Sequence, residues 1–234
     1  MKRCVAVFDF DGTLTRCDTL PWFILFACGP WRCCAGFLLL SPILVLMKLR
    51  LYPNWKAKQR LFSFFFRGMA HERFAGLGIR FAEVAGRFRR KEATDLLQQY
   101  VASGATVYVI SASLEEWVRP WCEKLGVKDV LCTKVEVGGD GRLTGRLKTP
   151  NCYGQEKVRR LLEAEPQRQG YTLHAYGDSR GDREMIAFAD KGCYVKDICR
   201  GQFLSTHLGG GPRSPRSNTL MQRRATDGPS LWAK

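Results

Sequence analysis

The chain has no Cys-x-x-Cys pair, although ten of its 234 residues are cysteine. Zinc modules rest on closely spaced Cys and His ligands, so that class is excluded. The adjacent Cys33-Cys34 lie in an apolar segment, where free cysteine behaves as a small hydrophobe. Unpaired cysteines in this number suit a reducing, cytoplasmic setting. A secretory leader is not expected either: the apolar run after Lys2-Arg3 is cut by Asp9 and Asp11 before a hydrophobic region can form. Internal repeats are absent. Acidic residues are outnumbered, 22 Asp and Glu against 37 Lys and Arg, which leaves a net charge of +15. Such an excess favours phosphorylated substrates, nucleic acid or anionic lipid without choosing among them.

The chain is nevertheless 45% hydrophobic and 25% charged, as folded globular proteins are. Its length allows one large domain, or a core with a smaller inserted one. Short apolar segments at 4–8, 106–110, 172–176 and 193–195 read as buried parallel strands, with a weaker fifth at 130–133. Helical patterns at 90–103, 114–125, 155–165 and 181–190 alternate with them, which predicts a parallel sheet with right-handed crossovers. Residues 134–148 have period-2 character around Gly138-Gly139-Asp140-Gly141 and predict a β-hairpin. The interval 16–88 lacks a strand rhythm and is too long for a simple crossover, so it reads as a helical insertion. From Gly201 to Lys234 the chain is Gly-, Ser-, Pro- and Arg-rich and is expected to be disordered.

Polar residues gather where the predicted strands end. The run Val5-Ala6-Val7-Phe8 leads into Asp9-Phe10-Asp11-Gly12-Thr13, two carboxylates at the carboxyl end of a buried strand. Burying them is costly unless they are paired or bind a metal, and this edge of an α/β sheet is where ligands bind. Strand 106–110 ends in Ser111-Ala112-Ser113 just before a predicted helix, an arrangement suited to an anion. Lys157, after Gly154, falls in a first helical turn, where a cation opposes the helix dipole. Strand 172–176 ends in Gly177-Asp178-Ser179-Arg180-Gly181-Asp182. Singly these admit plain readings: an Asp-rich turn, an N-cap serine, a solvent-facing lysine. Together they place four carboxylates, a serine and a lysine along one predicted edge.

With DFDGTLT (9–15), SAS (111–113), NCYGQEKVRRL (151–161) and YGDSRGDREM (176–185) in this order, the chain resembles the haloacid dehalogenase-like hydrolases. It is most similar to their phosphoserine-phosphatase-like branch, over roughly residues 4–198. The resemblance implies a Rossmann-like α/β core, here 1–15 and 89–200, with an α-helical cap at 16–88. It implies a Mg²⁺-dependent phosphatase that hydrolyses a small phosphate monoester through an aspartyl-phosphate. Asp9 would be the nucleophile, and Asp11 the general acid and then base. Asp9, Asp178 and the backbone carbonyl of Asp11 would hold Mg²⁺. Ser111, the N–H of Ala112 and Lys157 would bind the phosphoryl group. Asp182 would sit beside them, as a ligand through water or as a partner orienting Lys157.

Substrate choice would then lie in the cap. Asp18 stands where phosphoserine phosphatases carry an acid that meets the substrate amine. Phe62 falls where they carry the carboxylate-clamping arginine, with Arg60 and Arg67 nearby. Residues 20–47 are apolar but interrupted by Gly29-Pro30, Arg32 and Pro42. A single crossing there would part Asp9 from Ser111, Lys157 and Asp178, and no second long apolar segment exists to bring the chain back. A hairpin at the interface of an anionic membrane, on its cytosolic face, is allowed. Trp22, Trp31, Tyr52 and Trp55, with Lys48, Arg50, Lys56, Lys58 and Arg60, suit it. Relatives of this branch that act on phosphatidylglycerophosphate make a lipid phosphatase the alternative to a phosphoserine-type enzyme. Two other classes remain: a basic nucleic-acid-binding module, for which no binding motif is present, and a catalytically silent scaffold, although no acidic motif position is lost.

Overall fold

The computed structural model describes residues 2–199; the expectation for 201–234 lies outside the described residues. Chain order begins with β1 (Arg3–Phe8) and a tight loop, followed by α1 (Leu20–Lys48), α2 (Asn54–Phe66), α3 (His71–Ala85) and α4 (Lys91–Ala102). Next come β2 (Thr106–Leu114), α5 (Glu115–Glu123), β3 (Asp129–Thr133), β4 (Val135–Val137), β5 (Leu143–Leu147) and α6 (Gln155–Ala164). The described chain ends with β6 (Tyr171–Gly177), α7 (Arg183–Phe188), β7 (Lys191–Tyr194) and α8 (Val195–Cys199). Five strands form one sheet in the order β3-β2-β1-β6-β7, every pair parallel. The predicted parallel α/β core is therefore the observed one.

β1 is central because both of its faces are apolar. Val5 and Val7 enter one core and Ala6 and Phe8 the other, all four at 0% exposure. Burial of Val- or Phe-sized side chains contributes about 1.5–3 kcal/mol each, so the strand cannot sit at an edge. Progression from β1 through β2 to β3 runs one way across the sheet, and β6 to β7 the other. The reversal beside β1 is the switch point where a crevice opens at the carboxyl ends of the strands.

Three helices, α1 to α3, occupy most of the long interval between β1 and β2. Their aromatic interior is continuous with one sheet core: Phe23 stacks on Trp117 of α5 at 4.5 Å and meets Phe66, Phe74 and Phe81 edge-on or tilted. The predicted hairpin is present as antiparallel β4–β5. It joins these helices through Gly68 N–H to Leu143 C=O at 2.8 Å and Leu143 N–H to Met69 C=O at 2.9 Å. None of the ten cysteines forms a disulfide.

One local expectation changes. β2 runs on to Leu114 and α5 starts at Glu115, so Ser111 belongs to the strand and is not a helix cap. The strand continues because Ser111 and Cys132 still pair across β2 and β3 before the register shifts. Residues 20–47, inside the expected helical insertion, are helical through Pro42. The break is confined to Gly29, at φ 77 and ψ 168, a conformation open to glycine that turns the chain before Pro30 starts the second half.

Candidate active site

Asp9 leaves the end of β1 with its N–H bonded to Tyr176 C=O of β6 at 2.9 Å, which fixes the carboxylate at the crevice floor. Lys157, 2% exposed on the first turn of α6, places Nζ 2.5 Å from both Asp9 Oδ1 and Asp182 Oδ1. Burial works against its charge, but the two aspartates outweigh that and carry its pKa upward. A lysine in a first turn is thus explained by its partners. Asp182 is fully buried and holds the β6–α7 loop: its Oδ2 accepts from Asp178 N–H, Ser179 N–H and Ser179 Oγ at 3.2, 3.0 and 2.9 Å. Both Asp182 oxygens are thus engaged, one by Lys157 and the other by the loop.

Asp11 lies two residues on and has partners of its own. Its Oδ1 accepts from Thr19 N–H at 2.9 Å and Thr19 Oγ1 at 2.7 Å, and its Oδ2 from Ser113 Oγ. Trp117 Nε1 donates to Thr19 Oγ1 at 3.0 Å, so the threonine proton is directed at Asp11. Burial and the neighbouring Asp18 push the Asp11 pKa up to about 6, against the hydrogen bonds that favour its ionised form. Asp9 is raised further, by burial and by Asp182 and Asp11, with Lys157 opposing.

Asp178 closes the group. Its pKa is pushed up to about 6 by partial burial and by Asp182. Carboxylate oxygens of Asp9, Asp178 and Asp182 lie within 4.8 Å of one another. Gly12 permits this closeness: it has φ 77, and a Cβ there would stand 2.2 Å from Asp178 Oδ2. A side chain at this position would push apart the loop after β1 and the loop after β6. Ser111 is buried at the same edge and accepts from Ser113 N–H at 3.0 Å.

Asp9, Asp11, Ser111, Ser113, Lys157 and Asp178 line one cleft of about 660 Å³, with Ala112 and Asp18, while Asp182 and Thr19 support it from behind. Asp18 is exposed at its mouth and accepts from Leu20 N–H at 3.0 Å, satisfying one of the free donors at the start of α1. The opposite wall is apolar, formed by Phe37, Leu44 and Met47 of α1 and Leu61 of α2. Phe62 is instead packed in the aromatic core, and neither Arg60 nor Arg67 is among the cleft-lining residues.

Lys58 is a correction to the sequence reading, which grouped it with cations of a surface. It reaches from α2 into the cleft and donates to Ala112 C=O. Burial lowers its pKa while Asp11 and Asp18 oppose the change. Thr19, Ser113 and Lys58 were not assigned to the site from sequence. The Ser-Ala-Ser spacing offered a signal for Ser113, since alternate residues of a strand share a face; nothing local marked Lys58.

Comparison with known proteins now decides the family. A profile of the haloacid dehalogenase-like hydrolases matches residues 6–187. The chain belongs to that family. It is 34% identical over 191 residues to the protein CicA of Caulobacter vibrioides, covering 81% of this chain and 85% of that one. The fold is similar to that of a Bordetella pertussis protein of unknown function, at TM-score 0.69 and 18% identity over 86% of this chain and 96% of that one. A substrate-bound phosphoserine phosphatase is similar at TM-score 0.58 and 18% identity, covering 83% of this chain and 85% of that one. This member of the family keeps a parallel core with the four motifs converging on its carboxyl edge.

Proposed function

We propose that the protein is a Mg²⁺-dependent phosphatase that hydrolyses a phosphate monoester through an aspartyl-phosphate on Asp9. The observation that carries this reading is the pairing of Lys157 with Asp9 and Asp182 beside a separately held Asp11. With Oδ1 engaged by Lys157, Asp9 Oδ2 is the oxygen that attacks phosphorus. As the O–P bond to the alcohol breaks, Asp11 gives its proton to the departing oxygen; a pKa raised by burial suits a carboxyl that must start protonated. Asp11 then takes a proton from water as that water attacks the phosphoryl group, and Asp9 is released with inorganic phosphate. Ser111 Oγ and the Ala112 N–H hold phosphoryl oxygens, and Lys157 offsets their charge.

The residues fit a hard divalent cation. Lys157 pairs with Asp9 and Asp182 alone, Asp178 stands close to both without a cation of its own, and burial drives Asp9 toward its neutral, non-nucleophilic form. Asp9, Asp178 and the Asp11 carbonyl would hold Mg²⁺, whose charge supplies the stabilisation that keeps these oxygens anionic. The substrate is a small phosphometabolite of the phosphoserine type, with Lys58 and Asp18 facing its leaving group. A lipid phosphate is the second reading, favoured by the apolar wall of Phe37, Leu44 and Met47. Hydrolysis of p-nitrophenyl phosphate with and without chelator, followed by a panel holding phosphoserine and lipid phosphates, tests the assignment. Turnover indifferent to chelator, or retained in Asp9→Asn, contradicts it.

A further inference from the structure

The second half of α1 is apolar all round but packed on one side alone. Its inner side is close-packed: a Cβ on Gly36 would meet Phe65 at 2.2 Å, and Phe37, Leu40 and Leu44 join the core. Along its outer side Trp31 is 89% exposed, Leu38 76%, Leu39 66%, Val45 56% and Leu49 62%. Positions 31, 38, 45 and 49 follow the helical repeat, so they form one stripe. A helix of this kind requires an apolar neighbour on its free face.

Charge indicates which neighbour. Between Asp18 and Glu72 the sequence has no Asp or Glu, against seven Lys and Arg. Arg32, Lys48, Arg50 and Lys56, on or just after this helix, are exposed, although Arg32 also donates to Phe65 C=O at 3.2 Å and Lys48 borders the cleft. A second copy would bring this basic rim onto itself, because a two-fold interface pairs a patch with its own image. An anionic lipid surface takes both the stripe and the rim. The backbone is adapted to it as well: Pro42 has no N–H to give to Leu38 C=O, and Ser41 Oγ donates there instead at 2.7 Å. A carbonyl facing hydrocarbon needs such an internal partner.

By length and composition α1 is the one helix among the described residues apolar enough to cross a membrane. The break at Gly29 and the cleft-lining side of the helix exclude encirclement by lipid. We propose that residues 30–49 form an in-plane helix that seats the protein on an anionic lipid surface. Trp31, Leu38, Leu39, Val45 and Leu49 enter the interface while the basic rim meets the headgroups. Phe37, Leu44 and Met47 on the same helix set the mouth of the cleft beside that surface.

The test is flotation of the full-length protein with phosphatidylcholine vesicles, with and without phosphatidylglycerol. Binding to the anionic vesicles, weakened by salt, is expected, and Leu38→Asp/Leu39→Asp should lower it by about tenfold or more. Tryptophan emission should shift to the blue on binding, and the shift should shrink in Trp31→Phe. Equal flotation of wild type and double variant overturns the proposal, as does no binding at low salt. A wild-type dimer that the double variant makes monomeric, without vesicle binding, assigns the stripe to a second copy. Hydrolysis of p-nitrophenyl phosphate is read alongside. Hydrolysis without vesicle binding rejects the docking surface alone, and binding without hydrolysis rejects the phosphatase reading alone.

Discussion

The carboxyl edge of the sheet and the outer face of α1 treat unfavourable exposure in opposite ways. At the edge, costly groups are buried and given partners: Lys157 between Asp9 and Asp182, Asp11 between Thr19 and Ser113. On α1, large apolar groups are left in the open, with Trp31 89% and Leu38 76% exposed. The first arrangement is partnered within the chain. The second gains stability only from something outside the chain. A buried charge cannot wait for its partner, because desolvation is paid on folding, whereas an exposed leucine costs little until a surface arrives.

Breaking the partnered edge should produce the largest effects. Lys157→Met leaves Asp9 and Asp182 buried without their cation, and turnover of p-nitrophenyl phosphate should fall about 10³-fold. If the loss is slight, the pairing is structural only. Ser113→Ala removes one of the hydrogen bonds that hold Asp11 ionised, so its pKa should rise from about 6. kcat should drop about tenfold. The alkaline limb of the pH–rate profile, where Asp11 must still be protonated, should move to higher pH. An unmoved limb would separate Asp11 from the proton transfer.

Glu116 sharpens the comparison, since it is a half-buried carboxylate whose Oε2 has no partner. Burial pushes its pKa up from 4.5 to about 7. The folded state therefore binds this proton more tightly than the unfolded state. The resulting stability is full below about pH 4.5 and is lost as pH rises through about 7. Glu116→Gln should be more stable than wild type above pH 7 by about 1–2 kcal/mol, with the gap closing toward acid. Thermal melts at several pH values measure it; a pH-independent gap contradicts the assignment. The smallest effect is expected at Lys58→Met, a few-fold rise in KM for anionic leaving groups relative to p-nitrophenyl phosphate. Equal changes for both would make Lys58 a tie to Ala112 alone.

Much of this was legible in the sequence because it is local. Val5–Phe8 is apolar at every position, which only a strand buried on both faces allows, and Asp9 and Asp11 follow at once. Lys157 and Asp178 were legible through their position after a turn or a strand. What stayed hidden depends on long closures. Ser113 finds Asp11 across 102 residues, and Lys58 finds Ala112 across 54. Lys58 reads as one more cation in a basic stretch until packing of α2 aims it inward. The limits of β2 were missed because Ser-Ala-Ser favours a turn locally, while pairing with β3 keeps it extended. On α1 the helix was legible, but not where it breaks: at Gly29 and not at Pro42, where Ser41 Oγ donates to the Leu38 carbonyl that the proline leaves free.

The central claim is that the crevice floor makes Asp9 a nucleophile. Acid quench of the protein during turnover of a phosphate monoester with Mg²⁺, followed by peptide mass mapping, tests it most directly. The account predicts a phosphate adduct on the peptide that contains Asp9, absent in Asp9→Asn and absent with chelator. Sustained turnover with no adduct on that peptide, in wild type or in Asp9→Asn, would contradict it.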